Sequence, residues 1–167
     1  MDDIEQADGG YADLDEGPFA GLSRAISESD VVLQQLMSRR RLIEKIEKAE
    51  ELRTGKKTGV IAFICNDYAS IDSDDIPAIG DALLSVGDVE NLMLILESPG
   101  GDGNTAEKIV SLCRAFGKEF QVVIPNRAKS AATMISLGAD SIVMGFCSEL
   151  GPIDPQIVVR IGGVGHY

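Results

Sequence analysis

The chain has 167 residues, enough for one domain with a buried core, and its apolar content of 44% excludes disorder over the full length. The net charge of −12 argues against a nucleic-acid partner, because binding nucleic acid requires clustered Lys and Arg side chains. No apolar run reaches about 18 residues and the first residues are acidic, so we expect no transmembrane segment, no secretory signal and a location in the cytoplasm. One histidine and three widely spaced cysteines predict neither a metal site nor a disulfide framework.

The acidic charge is concentrated at the start of the chain. Residues 1–30 hold nine acidic side chains and one basic side chain, a net charge of −8. We therefore predict an acidic flexible tail over residues 1–30 and one domain over residues 31–167. From residue 31 onward apolar residues recur at helical spacing as far as a stop at Gly55, and residues 39–41 form a basic cluster on this helix. We interpret the cluster as a solvated face, with contact to an acidic partner as the alternative.

The rest of the chain alternates apolar strands with helices. The pattern predicts strands over residues 60–65, 92–96, 120–124, 142–144 and 157–161. It predicts three helices. The first begins at a Ser-Asp-Asp start at 73–75 and runs to residue 86, and the third runs from 129 to 137. The second begins at a capping Asn104, with Glu107 as its capping-box partner, and ends at Gly117. This order favours an α/β fold with a mainly parallel sheet covered by helices, whose ligand site lies at the carboxyl ends of the strands.

Three loops follow the carboxyl ends of predicted strands, at residues 66–75, 98–104 and 126–130. The first holds four aspartates, which suit turns and helix caps more than a cation site. The glycines of the second suit a tight turn, a phosphate cradle or an oxyanion hole of backbone N–H groups, although the P-loop and GxGxxG motifs are absent. The third ends at Ser130, which is either an ordinary N-cap or a nucleophile. Because the second and third loops end consecutive parallel strands, we expect them to adjoin, as acyl transfer requires.

The motifs in these loops resemble a known family. The segments SPGGDGN at 98–104 and PNRAKSAAT at 125–133 are similar to the Clp protease and signal peptide peptidase A superfamily, which shares the crotonase-like fold. Together with ND at 66–67, IDSDD at 71–75 and SELGPIDPQ at 148–156, they resemble more narrowly the serine dehydrogenase proteinase family of prokaryotes. The similarity extends over about residues 39–158.

The resemblance implies a ClpP/crotonase-like fold of stacked ββα units with a mainly parallel sheet. It also implies assembly into homo-oligomers and hydrolysis of a polypeptide substrate without a cofactor or metal. Ser130 would be the nucleophile that forms an acyl-enzyme, and the backbone N–H groups of Gly100 or Gly101 and of Ala131 would form the oxyanion hole. We therefore expect a serine-type peptidase.

The general base is where the sequence departs from these relatives. Clp proteases have a histidine in the region where this chain has Asp154 and Pro155, and the signal peptide peptidase branch uses a later lysine, whereas no lysine follows Lys129 here. His166 lies on a glycine-rich end that we do not expect to position a base. Lys108 and Lys129 are the remaining candidates, although lysines are mostly surface charges. We expect from this a domain that is shortened or diverged at its C-terminus.

Two other functions stay open. The chain is alternatively a catalytically silent, oligomerising or peptide-binding member of the same fold, because it lacks an evident base. An acyl-coenzyme A enzyme of the crotonase type would use a similar oxyanion hole, but the phosphates of coenzyme A favour a basic surface and this chain is acidic.

Overall fold

The computed structural model describes the backbone of residues 20–154, 159–161 and 164–166, and the side chains of residues 32–154. The chain divides between Leu42 and Ile43 into two compact units. The helices of the described part are α1 (Ala20–Thr54), α2 (Asp75–Val86), α3 (Gly103–Phe116) and α4 (Ala131–Leu137). Its strands are β1 (Thr58–Ile64), β2 (Val89–Glu97), β3 (Gly117–Ile124), β4 (Arg127–Ala128), β5 (Ser141–Met144), β6 (Glu149–Leu150), β7 (Val159–Ile161) and β8 (Val164–His166). None of these described helices combines the length and the apolar character that crossing a membrane requires.

Four parallel strands form the main sheet, in the order β1-β2-β3-β5. The predicted α/β fold with a mainly parallel sheet is confirmed. Four predicted strands fall within these observed strands, except that Cys65 follows the end of β1. The observed strands are longer because polar residues such as Glu90 occupy their ends, where an apolar pattern does not register them.

Helices bury one face of this main sheet. Helix α2 packs on β1, and α3 packs on β2 and β3. On this face the side chains of β2 and β3 are at most 1% exposed: Leu92, Leu94, Leu96, Phe120, Val122 and Ile124. They form one core cluster with buried residues of the helices, which include Ile79, Leu83, Ile109 and Cys113. Burial of these strands holds their carboxyl ends, and the loops that follow, at one edge of the sheet.

Two glutamates of α1 close the outer edge of the main sheet at β1. Glu47 Oε1 accepts a hydrogen bond from the N–H of Val60 at 3.0 Å, and Glu51 Oε1 accepts one from the N–H of Thr58 at 3.2 Å. The two carboxylates are one helical turn apart, and the two N–H groups point outward from alternate residues of the edge strand. These contacts satisfy donors that would otherwise offer an open edge to another strand.

A second, shorter row of paired strands runs in the same order as the main sheet. Strand β4 pairs with β6 in parallel, Ser98 bridges Ala128, and Ile71 bridges Gly101. Each strand of the main sheet is therefore followed along the chain by an extended segment of the second row. After the first three of these segments the chain continues into a helix. This is the stacked ββα arrangement that the resemblance implies. Strands of two residues are too short to show a hydrophobic period, so the sequence did not predict them.

Three helices begin at residues other than the predicted ones. Helix α4 begins at Ala131 and not at residue 129. Helix α1 begins at Ala20 and not at residue 31, so residues 20–30 of the predicted tail are helical. Residues 1–19 lie outside the described residues, and the division into a tail and a domain stays a prediction. The predicted N-cap of α3, Asn104 with Glu107, is wrong, because Asp102 occupies that position and its Oδ1 accepts a hydrogen bond from the N–H of Thr105 at 2.7 Å.

The predicted fifth strand, over residues 157–161, does not join the main sheet. Its last three residues form β7, which pairs in antiparallel orientation with β8. Residues 157 and 158 lie outside the described residues. The pattern of apolar residues identified a strand but not its partner, because periodicity carries no information about pairing.

Truncation of Leu94 to alanine tests the buried face of the sheet. Leu94 is 1% exposed in β2, so Leu94→Ala removes buried contacts and leaves a cavity. We expect the free energy of unfolding, measured by urea denaturation, to fall by about 2–5 kcal/mol. Leu84→Ala is the control, because Leu84 in α2 is 69% exposed and its loss should change the free energy by less than about 0.5 kcal/mol. Equal losses in the two variants would contradict the position of Leu94 in the core.

Candidate functional site

The three predicted loops line one groove at the carboxyl ends of the main-sheet strands. The groove has a volume of about 710 Å³ and is lined by residues 67–70, 99–103 and 130–131 with Met134, Ile153 and Asp154. Among the residues that the sequence singled out, Gly100, Gly101, Ser130 and Ala131 lie in it together. Lys108 and Lys129 do not belong to its lining.

Ser130 has an unusual backbone conformation for a residue at a helix start. Its φ is +48° and its ψ is −118°, and it is the only non-glycine residue with positive φ in the described part of the chain. Its hydroxyl makes no capping hydrogen bond to α4. Its N–H donates to the C=O of Pro152 at 3.2 Å, and its C=O accepts from the N–H of Met134 at 3.2 Å. Ser130 is therefore not an ordinary N-cap, which would have an extended backbone and a bonded side chain.

The glycine loop packs directly against Ser130. Gly100 has a φ of +113°, and a Cβ there would lie 2.6 Å from the Cβ of Ser130 and 2.8 Å from the C=O oxygen of Lys129. Gly101 has a φ of +150°, and its Cβ would lie 2.2 Å from the C=O oxygen of Ile71. Both conformation and space therefore require glycine at these two positions.

The backbone N–H groups of this region are not equivalent. The N–H of Gly100 donates to the hydroxyl oxygen of Ser98 at 3.1 Å. Neither the N–H of Gly101 nor that of Ala131 has an acceptor among the described residues. Two backbone donors beside Ser130 are thus available to a bound group, and they are those of Gly101 and Ala131.

Backbone pairing fixes the glycine loop on both sides. The N–H of Ile71 donates to the C=O of Gly100, and the N–H of Asp102 donates to the C=O of Ile71, both at 2.8 Å. On the other side the N–H of Lys129 donates to the C=O of Ser98 at 3.1 Å. The loop is therefore one segment of the second row of strands, and the residue that precedes Ser130 is bonded to it.

Sequence reasoning missed two buried polar residues that hold this region, Ser98 and Thr133. Ser98 is fully buried and its hydroxyl closes the turn onto Gly100. The hydroxyl of Thr133 donates to the C=O of Ala128 at 2.7 Å and accepts from the N–H of Gly151 at 3.3 Å. Both residues lie inside the motifs that carry the resemblance, but only the contacts reveal what they hold.

The two lysines that are candidates for the general base lie outside the lining of this groove. Lys129 Nζ forms an ion pair with Glu149 Oε2 at 2.7 Å, and this pair holds the pKa of Glu149 below its ordinary value. Lys108 lines a separate groove of about 860 Å³ between α2 and α3. Nothing is described of the side chain of His166, which is placed only as the end of β8.

The acidic groups of the groove have structural partners or face solvent. Asp102 caps α3, and its hydrogen bonds to the hydroxyl and N–H of Thr105 hold its pKa below the ordinary value. Asp67 forms an ion pair with Arg127, and Asp154 is exposed. In the loop at 66–75, Asp75 accepts from the N–H of Asp72 at 2.9 Å, and Asp72 accepts from the N–H of Asp74 at 2.8 Å. No group of three or more metal-type ligands is found among the described side chains.

These features define an α/β protein of stacked ββα units in which a strained serine is held against a glycine loop. The family model of the ClpP-like SDH-type serine proteinases matches residues 26–161, and the chain belongs to this family. The predicted resemblance is thereby confirmed at the level of the family.

The chain is similar to two curated proteins of Methanocaldococcus jannaschii, both described as uncharacterized. It is 28% identical to MJ1495 over an alignment of 136 residues, which covers 75% of this chain and 47% of the relative. It is 27% identical to MJ0137 over an alignment of 137 residues, which covers 76% of this chain and 48% of the relative. The chain thus spans about half the length of the curated relatives it matches.

Two solved structures are more distantly similar. A mutant ClpP1 of Listeria monocytogenes is 18% identical, with a TM-score of 0.41 over 48% of this chain and 46% of its own. The ClpP protease catalytic domain of Plasmodium falciparum is 14% identical, with a TM-score of 0.41 over 50% of this chain and 53% of its own.

Gly100→Ala tests the contact between the glycine loop and Ser130. The added Cβ meets the Cβ of Ser130 and also requires alanine at a φ of +113°, so we expect a loss of about 1–3 kcal/mol in the free energy of unfolding. Gly80→Ala is the matched control, because a Cβ on Gly80 in α2 meets no atom within 4 Å. There the helix should gain about 0.5–1 kcal/mol. If Gly100→Ala proved as stable as Gly80→Ala in urea denaturation, the described packing at Ser130 would be wrong.

Thr133→Val tests the bond from α4 to the segment at Gly151. The substitution keeps the shape of the side chain but removes its hydrogen bonds to the C=O of Ala128 and the N–H of Gly151, which stay bonded to each other at 3.0 Å, so we expect a loss of about 0.5–1.5 kcal/mol. Amide hydrogen exchange at Gly151 should accelerate as well. Ser136→Ala is the control, because the equally buried Ser136 bonds only within α4, to the C=O of Ala132. Unchanged exchange at Gly151 in Thr133→Val would contradict this role.

Proposed function

We propose that the protein is a serine peptidase that cleaves polypeptides through an acyl-enzyme on Ser130. The observation that carries the proposal is the strained, uncapped Ser130 in contact with the glycine loop. Membership of a serine proteinase family supports the reaction class. A non-glycine residue at positive φ costs on the order of 1–3 kcal/mol and is typical of residues with a functional role.

In the proposed reaction Ser130 Oγ attacks the carbonyl carbon of the scissile peptide bond. The carbonyl oxygen becomes an oxyanion and accepts hydrogen bonds from the N–H groups of Gly101 and Ala131. Of the two glycines that were candidates, Gly101 fits this role better, because the N–H of Gly100 is bonded to Ser98. Such preorganised donors are worth several kcal/mol when the charge develops between them.

The proton of Ser130 must pass to a base and then to the leaving amine, after which water hydrolyses the ester. Neither Lys108 nor Lys129 lines the groove, and Lys129 is engaged by Glu149. The described lining of the groove contains no Lys or His. We therefore propose that the base is a group outside this lining, from another part of the protein or from another copy. A polypeptide substrate, a homo-oligomer and a location in the cytoplasm complete the proposal.

The second candidate function is a catalytically silent member of the family that binds peptides or assembles. The same feature of the described lining, its lack of Lys and His, favours this function. In such a protein Ser130 would keep its conformation without an activated hydroxyl. Reactivity of Ser130 distinguishes the two functions.

Labelling with a fluorophosphonate probe tests the proposal. An activated Ser130 Oγ displaces the fluoride of the probe, so we expect one covalent adduct in the intact mass at neutral pH. The adduct should disappear in Ser130→Ala. It should persist in Ser70→Ala, the matched control, because Ser70 also lines the groove.

The labelling experiment also separates the two functions. Absence of an adduct at neutral and alkaline pH, on protein whose circular dichroism shows it to be folded, would overturn the peptidase proposal and favour the silent member. An adduct that survives Ser130→Ala would place the reactive group elsewhere.

A further inference from the structure

Helix α1 carries an apolar patch that faces solvent. Val32, Leu33, Leu36 and Met37 are each more than half exposed, at 54–56%. Their spacing of one, three and four residues places them on one face of the helix. The patch lies within the first of the two compact units, before Leu42. Its four large apolar side chains within two turns are typical of a helix that packs against another helix.

Charged residues lie at equal distances before and after this patch along the helix, acidic on one side and basic on the other. The patch is centred between residues 34 and 35. Arg39 and Arg41 follow the centre, and Glu28 and Asp30 precede it at the same distances along the chain. Because 28 and 39 are eleven residues apart, they fall within about 20° of each other around the helix axis, and so do 30 and 41. Each flank of the apolar face therefore carries one acidic and one basic residue, about 100° from the middle of the face.

This arrangement is complementary to itself in one orientation. When two copies of the helix pair antiparallel about a two-fold axis between residues 34 and 35, each flank meets the same flank of the other copy. Arg39 then adjoins the partner's Glu28, and Arg41 adjoins the partner's Asp30. The members of each pair differ by about 3 Å in height along the axis, which long side chains span. A parallel pair would instead bring opposite flanks together and place Arg39 beside the partner's Arg41, so that like charges would meet.

The apolar residues match in the same register. Leu36 comes opposite the partner's Val32, and Leu33 comes opposite the partner's Met37. The basic cluster at 39–41, which we interpreted as a solvated face or a contact for an acidic partner, acquires an acidic partner within the same sequence.

We propose that two copies of this chain associate through residues 28–41 of α1, packed antiparallel about this two-fold axis. The association buries the apolar patch and forms four ion pairs across the interface, two at each end. It is independent of the proposed reaction at Ser130, which lies in the other compact unit. The interface is isologous, so it closes at a dimer.

Charge reversal tests the proposal on the full chain. An acidic variant carries Arg39→Glu with Arg41→Glu, and a basic variant carries Glu28→Lys with Asp30→Lys. Each variant alone turns four attractive pairs into repulsive ones, so its dimer dissociation constant, measured by sedimentation equilibrium, should rise at least roughly tenfold. An equimolar mixture of the two variants should recover association, because acidic flanks then meet basic flanks.

The matched control is Lys45→Glu with Lys118→Glu, which makes the same change in net charge at two exposed positions outside residues 28–41. It should dimerise as the unchanged chain does. A mixture that associates also shows that both variants are folded. The proposal is overturned if the unchanged chain is monomeric at every concentration reached, or if the mixture of the two variants fails to associate. It is also overturned if charge reversal leaves the dimer dissociation constant unchanged, as is expected for a parallel pair or for another interface.

Discussion

The candidate site depends on the backbone pairing that holds the glycine loop between Ile71 and β4. The C=O of Gly100 accepts from Ile71, and Ser98 exchanges hydrogen bonds with Arg127 and Lys129. Because Lys129 is the neighbour of Ser130, this pairing and not a side-chain contact sets how closely the loop approaches the serine. The approach is so close that a Cβ at Gly100 would overlap Ser130. Two glycines in sequence are a consequence of this geometry, and the strain at Ser130 persists because its own N–H and C=O are bonded as well.

The main sheet could be predicted from the sequence because its strands are buried and therefore apolar almost throughout. Leu92, Leu94 and Leu96 show this, since they line one buried face and the run between them is apolar too. The second row could not be predicted in the same way. Strands β4 and β6 have two residues each and are defined by their hydrogen bonds, which no periodicity encodes. The true cap of α3 was missed because Asp102 and Asn104 are both good caps, and only the bond to Thr105 distinguishes them.

That Ser130 and the two glycines line one groove could be predicted from the sequence, whereas the geometry of this groove could not. The position of Ser130 after a strand, and of the glycines after the preceding strand, brought them to one edge by the rule for parallel sheets. The positive φ of Ser130 was not predictable, because serine at a helix start is ordinarily an N-cap with an extended backbone. The position of Lys108 depends on which way α3 presents its side chains, and that of Lys129 depends on the turn between β4 and α4. The structure places one lysine in a separate groove and the other against Glu149.

The two glycines of the loop have different hydrogen-bonding states, and Ser98 is the reason. Its hydroxyl accepts the hydrogen bond of the Gly100 N–H and closes the turn, whereas the N–H of Gly101 has no acceptor among the described residues. A backbone donor without a protein acceptor needs water or a ligand to satisfy it. Gly101 and Ala131 both line the groove, so an oxygen atom of a bound ligand can accept from their N–H groups. The proposed oxyanion site therefore depends on backbone geometry. Side chains elsewhere in the groove can vary without moving its two N–H donors, whereas a Cβ at Gly100 or Gly101 would displace them.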